Sequence, residues 1–324
     1  SLVRAERGII YDKNLKKLVS NAPAFDFVCD KRNLAGLDEY SEQQILSISQ
    51  ALGQDASVIE NAIQQSEDSK VLIAENLTKE NILVLESRIH DLPECQIEEN
   101  TVRNYALGNI FSHVLGYTGK VTKENLKNSE SYTASDYIGK VGLEKQYEFF
   151  LRGLPGRTEV IKNASGVVQG DAILSQPEDG DNLVLNIDAD LQKKVYETME
   201  KHVKNVGSKK GAAVALNPKT GAVLALVSYP AYDNNIFSAG ISQKDYQALL
   251  DDASQPFFNR AISAQYPTGS TIKPFIASAA LQENIISPAT LINDPGYILV
   301  YSQYDPNVTF RFGGVKPHGL VDMR

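Results

Sequence analysis

The stretch Tyr266-Pro267-Thr268-Gly269-Ser270-Thr271-Ile272-Lys273-Pro274-Phe275 constrains the fold of this chain more than any other. Pro274 has no backbone N–H and is comfortable only in the first turn of a helix, so a helix must begin at or next to Ser270. Gly269 lets the backbone make a tight approach just before it. Ile276, Ala277, Ala280 and Leu281 continue an apolar face, as a helix in a sheet-packed core requires. On such a helix Ser270 and Lys273, three positions apart, share one side. A serine hydroxyl is a poor nucleophile until an adjacent base takes its proton. A lysine amine can be that base when burial or a nearby cation depresses its pKa. The unpaired N–H groups of a helix start can also hold an oxyanion. S-x-x-K alone arises by chance in many chains, where it is an ordinary helix start.

Composition narrows the classes open to the chain. Its 324 residues suffice for two or more domains, and 42% hydrophobic with 22% charged residues describe a soluble globular protein. A net charge of −8, with no basic stripe interleaved with aromatics, argues against a nucleic-acid partner. No stretch reaches the roughly 18 apolar residues of a membrane span, and the N-terminus lacks the apolar core of a signal peptide. Cys29 and Cys95 lie in separate apolar-flanked segments and are expected as buried free thiols; a disulfide stays open, because sequence does not fix its geometry. His90, His113, His202 and His318 are scattered without ligand spacing, so no metal is expected. No cofactor is expected either.

Residues 1–30 hold two strand-like runs around a turn at Lys13-Asn14. Ser41 is expected to cap a helix with Ile45, Ile48 and Leu52 on one face and Gly53 at its end. A second helix carries Val58, Ile59, Ala62 and Ile63, and Val71 to Ala74 is a strand. Thr78 caps a helix with Ile82, Leu85 and Ile89, Pro93 closes it, and Gln96 to Asn104 is extended. A glycine-rich region follows, with a helix at Val141 to Phe150 whose apolar face is Leu143, Tyr147 and Phe150. Arg157 to Leu174 is expected as a hairpin turned at Asn163-Ala164-Ser165-Gly166. The polar run Gln176 to Asp181 sets a domain boundary near residue 180. Beyond it come a strand at Asn182 to Ile187 and a helix capped by Asp188 with Leu191, Val195 and Met199 inward. A hairpin then turns at Asn217-Pro218-Lys219-Thr220-Gly221. The fold class is α+β in two domains, 1–180 and 181–324, without an internal repeat.

Several of these patches, in their order, resemble the class B penicillin-binding proteins, and the elongation-type members more than the division-type ones. Arg7-Gly8-Ile9-Ile10-Tyr11-Asp12-Lys13-Asn14 is similar to the family's R-G-x-I-x-D-R-N segment, with Lys13 for the usual arginine. His113-Val114-Leu115-Gly116-Tyr117-Thr118-Gly119 and Ile138-Gly139-Lys140-Val141-Gly142-Leu143-Glu144 resemble its pedestal motifs. Asn217 to Ala225 resembles its first transpeptidase hairpin, and Asn259-Arg260-Ala261 precedes the serine segment as it does there. The resemblance implies a mixed pedestal (dimerisation) domain followed by the first part of a β-lactamase-like transpeptidase domain, a sheet with helices on both faces. It implies a peptidoglycan D,D-transpeptidase. Ser270 would be the nucleophile toward the D-Ala-D-Ala end of a stem peptide, Lys273 the general base, and the Ser270 N–H half of the oxyanion hole. β-Lactams would acylate the same serine. The implied setting is one N-terminal membrane anchor with the bulk outside the cytoplasm, and a membrane glycosyltransferase as partner.

The family's S-x-N and its later K-[ST]-G do not occur after Ser270, so the chain reads as a pedestal plus the first half of a transpeptidase domain, with an incomplete site and an exposed sheet edge. Lys219-Thr220-Gly221 spells K-T-G, but it precedes the serine and reads as a turn with glycine at the φ > 0 position. His113 is expected to pack within the pedestal, His318 to face solvent, Asp233-Asn234 to cap local backbone, and Asp251-Asp252 to be a solvated loop. Two other readings stand beside the enzyme: a non-catalytic cell-wall scaffold, and a β-lactam-sensing or β-lactam-hydrolysing relative.

Overall fold

A long strand over residues 17–30, buried at Leu18-Val19 and again from Asp26 to Cys29, is the backbone of the first half of this computed structural model. It describes all residues except 1, 4, 32–38, 67–69, 123, 126–131, 133–135, 163–167, 239, 306 and 324. A short β1 (Leu2–Val3) and β2 (Ile10–Tyr11) precede the long β3 (Lys17–Asp30). The turn between β2 and β3 is held by buried Asp12, whose Oδ1 accepts from the N–H groups of Asn14 and Lys16 at 2.8 Å each. Helix α1 (Glu39–Leu52) starts before Ser41, so Ser41 lies inside its first turn and is not the cap; Gly53, at φ 64°, ends it as expected. Helix α2 (Ala56–Gln65) is capped by Asp55 and buries Ile59 and Ile63, while Val58 stays exposed. Strand β4 (Lys70–Ala74) and helix α3 (Lys79–Arg88), capped by Thr78 with Leu85 buried, follow the sequence reading.

Strand β5 (Cys95–Tyr105) returns antiparallel along β3, from Cys29↔Cys95 to Val19↔Tyr105, while β2 and β4 also pair with β3. That register decides the cysteines. They sit directly opposite with Cα atoms 4.0 Å apart, and they form a disulfide rather than two free thiols. One apolar core surrounds it, built from Phe27, Ile48, Ile59, Leu85 and Leu92 among others. At the other end of β3 a second core gathers Ile10, Leu18, Tyr105, Phe111, Leu115, Leu151 and Ile187. Residues on both sides of position 180 share this second core.

Short elements wrap that end: α4 (Ser112–Leu115), β6 (Thr118–Lys120), β7 (Tyr137–Gly139), α5 (Gly142–Gln146) and α6 (Glu148–Leu151). The helix expected at Val141 to Phe150 is thus broken in two, and its buried members are Glu144 and Leu151. Tyr147 and Phe150, expected inward, are 36% and 53% exposed. Gly116 and Gly142 bring α4 and α5 into backbone contact: a Cβ on Gly116 would lie 1.9 Å from the Val141 carbonyl oxygen. Strands β8 (Gly156–Lys162) and β9 (Val168–Ser175) form the expected hairpin, with β1 added to β8. The turn assigned to Asn163-Ala164-Ser165-Gly166 lies outside the described residues.

Strand β10 (Leu183–Val184) pairs parallel with β2, and helix α7 (Ala189–Asn205) starts at the Asp188 cap. Its most buried residues are Ala189, Gln192, Tyr196 and Val203, one position round from the expected Leu191, Val195 and Met199, which are half-buried. The rotation has a cause. Gln192 is fully buried and its amide donates to the Leu226 carbonyl and accepts from the Leu226 N–H, both at 2.7 Å. It therefore satisfies the outer edge of β12 (Val223–Tyr229), whose other edge pairs with β11 (Gly211–Leu216). Gly221, at φ 73°, closes the hairpin turn as read. Helices α8 (Asn235–Ser238), α9 (Gln243–Asp251) and α10 (Arg260–Ser263) complete the first compact unit, Ser1–Ala264.

The second unit, Gln265–Arg324, carries a 3-10 turn (Gly269–Ile272), helix α11 (Lys273–Gln282) and two strand pairs. These are β13 (Ile292–Asp294) with β16 (Gly319–Val321), and β14 (Tyr297–Tyr301) with β15 (Thr309–Gly313). Helix α11 buries none of its residues, and Phe275 and Ile276 are 73% and 61% exposed.

Candidate active site

The serine segment folds as its punctuation dictates. Gly269 has φ 55°, and a Cβ there would meet nothing within 4 Å, so its glycine answers a backbone angle rather than a close approach. The Thr268 carbonyl oxygen accepts from the Thr271 N–H at 3.3 Å and from the Thr271 hydroxyl at 2.5 Å, winding the 3-10 turn. The Lys273 N–H then donates to the Ser270 carbonyl oxygen, and Pro274 occupies the first turn of α11. That i to i+3 bond puts the two side chains on one side of the turn. The Ser270 N–H precedes the first intrahelical bond and has no acceptor among the described residues. No side chain caps α11. Ser270 and Lys273 are both exposed, and no hydrogen bond joins their side chains. The segment can present a hydroxyl, an amine and a free N–H to one incoming carbonyl.

Elsewhere the residues singled out in sequence serve structure. His113 donates from Nε2 to the Pro256 carbonyl oxygen at 2.7 Å and meets Tyr232 edge-on at 5.5 Å; burial pushes its pKa down. Asp233 accepts from the Asn235 N–H at 2.9 Å, and Asn234 donates to the Gly116 carbonyl oxygen. Asp252 accepts from the Ser254 N–H at 2.7 Å, and Asp251 from the Gln247 amide at 2.9 Å. His318 is about half exposed, and its Nδ1 lies 2.7 Å from Asp294, whose carboxyl it holds below the usual range. Among the described residues no group of three or more His, Cys, Asp or Glu could hold a metal ion, and no helix is long and apolar enough to cross a membrane. Lys219 stands at an exposed hairpin tip, its N–H bonded to Asn217.

Sequence reasoning missed the polar junction that ties the first motif to the third. Arg7 Nε donates to Glu144 Oε2 at 2.8 Å and Arg7 Nη2 to Glu148 Oε2 at 2.6 Å, while Arg103 Nε donates to Glu144 Oε1 at 3.0 Å. Glu144 is fully buried. Burial alone would lower the Arg7 pKa, and Glu144 and Glu148 more than reverse it. Arg260 likewise holds backbone in place. It is buried and donates to the carbonyl oxygens of Gln255, Phe258 and Ser254, while Asn259 caps α10 and donates to the His113 carbonyl oxygen. Arg7, Glu144 and Arg260 stand in the quoted motifs as charged residues, whereas Arg103 stands in none of them.

Residues 2–185 match the family model described as the penicillin-binding protein dimerisation domain, and residues 211–312 match the penicillin-binding protein transpeptidase domain. The chain belongs to the penicillin-binding protein family. Relatives named peptidoglycan D,D-transpeptidase MrdA are 35% identical in Acinetobacter baumannii and 36% in Haemophilus influenzae, each alignment covering 98% of this chain. These alignments cover 46% and 48% of the two relatives, so the chain spans about half the length of the curated relatives it matches. Among solved structures, penicillin-binding protein PBP2 from Helicobacter pylori, in complex with MreC, superposes with a TM-score of 0.83 at 27% identity over 100% of this chain and 58% of that one. The same H. pylori protein alone gives 0.73 at 26% identity over 99% of this chain and 60% of that one. The two-domain α+β architecture of the penicillin-binding proteins is therefore the architecture of this chain.

Proposed function

We propose that this chain belongs to a peptidoglycan D,D-transpeptidase of the elongation type, with Ser270 as nucleophile and Lys273 as its general base. The observation that carries the reading is the turn at 269–273, which sets the hydroxyl, the amine and an unbonded Ser270 N–H at one helix start. The Ser270 Oγ attacks the carbonyl of the penultimate D-alanine of a stem peptide, and its proton passes to the Lys273 amine. The tetrahedral oxyanion takes the Ser270 N–H as one donor. Collapse expels the terminal D-alanine, which receives a proton, and leaves an acyl-serine. An amine of a neighbouring stem then attacks that ester, returning the proton to Ser270 and forming the cross-link. β-Lactams acylate the same oxygen. Lys273 is exposed and makes no hydrogen bond to Ser270 among the described residues, so its role as base rests on the local turn that sets the two side by side.

Two further parts of the reading have support of their own. The boundary near residue 180 separates a pedestal from the start of the transpeptidase domain; the first family match ends at 185 and the second begins at 211. The bulk of the protein lies outside the cytoplasm on a membrane anchor, and the Cys29–Cys95 disulfide, which persists in oxidising compartments, supports this. The partners are a membrane glycosyltransferase and, since the similar H. pylori protein forms a complex with MreC, a protein of that kind.

The test is covalent labelling of the full-length protein by a fluorescent penicillin. Ser270→Ala abolishes labelling, and Lys273→Ala slows acylation by about 10²-fold or more. Full labelling of Ser270→Ala removes the nucleophile assignment, and an unchanged rate in Lys273→Ala removes the base.

A further inference from the structure

Ser270 does nothing to hold its own place. Its N–H and its hydroxyl have no partner among the described residues, and no side chain caps the helix that follows. The chain reaches it through Gly269 at φ 55°, directly after Thr268 in the right-handed helical region. A lone glycine of this kind is a soft joint, because it reaches both signs of φ at little cost. Packing does not fix it either, since a Cβ there would meet nothing within 4 Å. The angle at Gly269 has to be set from outside the glycine.

Thr271 spans the joint. Its N–H and its hydroxyl both donate to the Thr268 carbonyl oxygen, so the residue before Gly269 is tied to the residue after Ser270. The two ties differ in quality. The N–H contact, at 3.3 Å, lies just beyond the roughly 2.7–3.2 Å of a good N–H···O bond, whereas the hydroxyl contact, at 2.5 Å, is at the short end for O–H···O. The hydroxyl is the stronger tie. Threonine suits it, because the branched Cβ restricts χ1 and holds the hydroxyl toward the carbonyl at a smaller entropic cost.

A hydroxyl bonded three or four residues back is a common helix feature, and the same helix supplies a comparison. The Ser278 hydroxyl donates to the Pro274 carbonyl oxygen at 2.8 Å, but there it closes on backbone that α11 already fixes. The Thr271 bond instead closes over a left-handed glycine and the serine beside it. Thr268 and Thr271 are both exposed, so a Thr268 carbonyl that loses this donor can turn to water, and the fold loses little.

We propose that Thr271 is a positioning residue for Ser270: its hydroxyl, bonded to the Thr268 carbonyl oxygen, fixes the torsion at Gly269 and so aims the Ser270 N–H and Oγ at one incoming carbonyl. The proposal rests on the reading of Ser270 as the nucleophile. Thr271 acts through the backbone and carries no proton in the reaction.

The test follows acylation of the full-length protein by a fluorescent penicillin, separating the rate at saturation from the concentration that gives half of it. Thr271→Val keeps the branched shape and removes the hydroxyl. It is expected to lower the saturating rate about tenfold or more, with the half-saturating concentration unchanged. Thr271→Ser, which keeps the hydroxyl, restores the rate to within about threefold of wild type. Ser278→Ala, which removes the comparable bond inside α11, leaves the rate as it is. Thermal melting is expected to be the same in all of them. An unchanged rate in Thr271→Val overturns the proposal. So does a rate that falls as far in Thr271→Ser, a change confined to the half-saturating concentration, or a loss of rate that tracks a loss of melting temperature. Should Thr271→Val fail to fold, Thr271→Ala against Thr271→Ser makes the same decision. Labelling of wild type that Ser270→Ala abolishes reads the function separately. With that result in hand, failure at Thr271 sinks the positioning role alone; without it, the nucleophile assignment falls and the positioning role falls with it.

Discussion

The junction around Glu144 and the segment around Ser270 are both polar, and they are built in opposite ways. Glu144 is fully buried, and two arginines 137 and 41 residues away in sequence close on it. Ser270 and Lys273 are three residues apart and exposed, held by one turn and its glycine. The first arrangement fixes a geometry through non-local contacts and leaves its charges nothing further to do. The second leaves reactive groups uncommitted on a locally determined backbone. On the proposed reading, holding a scaffold rigid while keeping a nucleophile open to a large substrate calls for both. The contrast predicts that substitutions at the junction act on stability and that substitutions at the turn act on chemistry.

The sharpest break of that contrast is Glu144→Ala, which leaves Arg7 and Arg103 partly uncompensated in the interior. Loss of one member of a buried ionic cluster costs about 3–5 kcal/mol. Urea unfolding is the measurement, and a change no larger than that of Lys273→Ala, expected within about 0.5 kcal/mol, would erase the distinction. Next comes the disulfide. Replacing Cys29 and Cys95 together by alanine opens a crosslink between residues 66 apart and is expected to cost about 2–4 kcal/mol. Penicillin labelling of folded protein should be unchanged, because the bond lies in the other unit from Ser270.

These first two effects belong to features that were hard to read in the sequence, for one shared reason. The Cys29–Cys95 bond depends on the register of β3 against β5, and Glu144 depends on arginines brought in from distant strands and loops. Periodicity reports which residues are apolar, so it placed Leu143 inward, where it packs against the second core, but also Tyr147 and Phe150, which are exposed, and it missed Glu144. It erred in the same way on α7, where buried Gln192 closes the edge of β12. Local signals carried further. Thr78 caps its helix, Gly53 ends one, Gly221 turns a hairpin, and Pro274 falls in the first turn of α11. The Ser270–Lys273 arrangement was legible because it is local. What surrounds it was not, because no described residue of this chain covers it.

Gly269→Ala tests the local side of the comparison. A β-carbon at φ 55° costs about 1–2 kcal/mol, spent within the exposed turn rather than in a core. Unfolding free energy should therefore fall by no more than about 1–2 kcal/mol, while penicillin acylation falls at least tenfold as the Ser270 N–H and hydroxyl lose their register. A large loss of stability with normal acylation would reverse the assignment of this turn to chemistry.

The smallest expected effect is a pH dependence carried by the buried side. His113 is packed against Tyr232, bonded to Pro256 and near Arg260, and burial foremost, with Arg260 adding to it, lowers its pKa from the ordinary value. In the unfolded chain the ring protonates near pH 6.5. Because its folded pKa is the lower one, the unfolded state binds more protons in the interval between the two, and stability rises with pH there. Its contribution is complete above about pH 6.5 and declines as the pH falls toward the folded pKa, below which it levels off. His113→Gln keeps an N–H donor for the Pro256 carbonyl and removes the titration. Unfolding free energies of the variant should lose the part of the slope below about pH 6.5 that wild type shows. An identical slope in both proteins would mean that His113 is as open to solvent as the Ser270 turn, and that the packing between the pedestal motif and the loop at Pro256 is looser than its geometry shows.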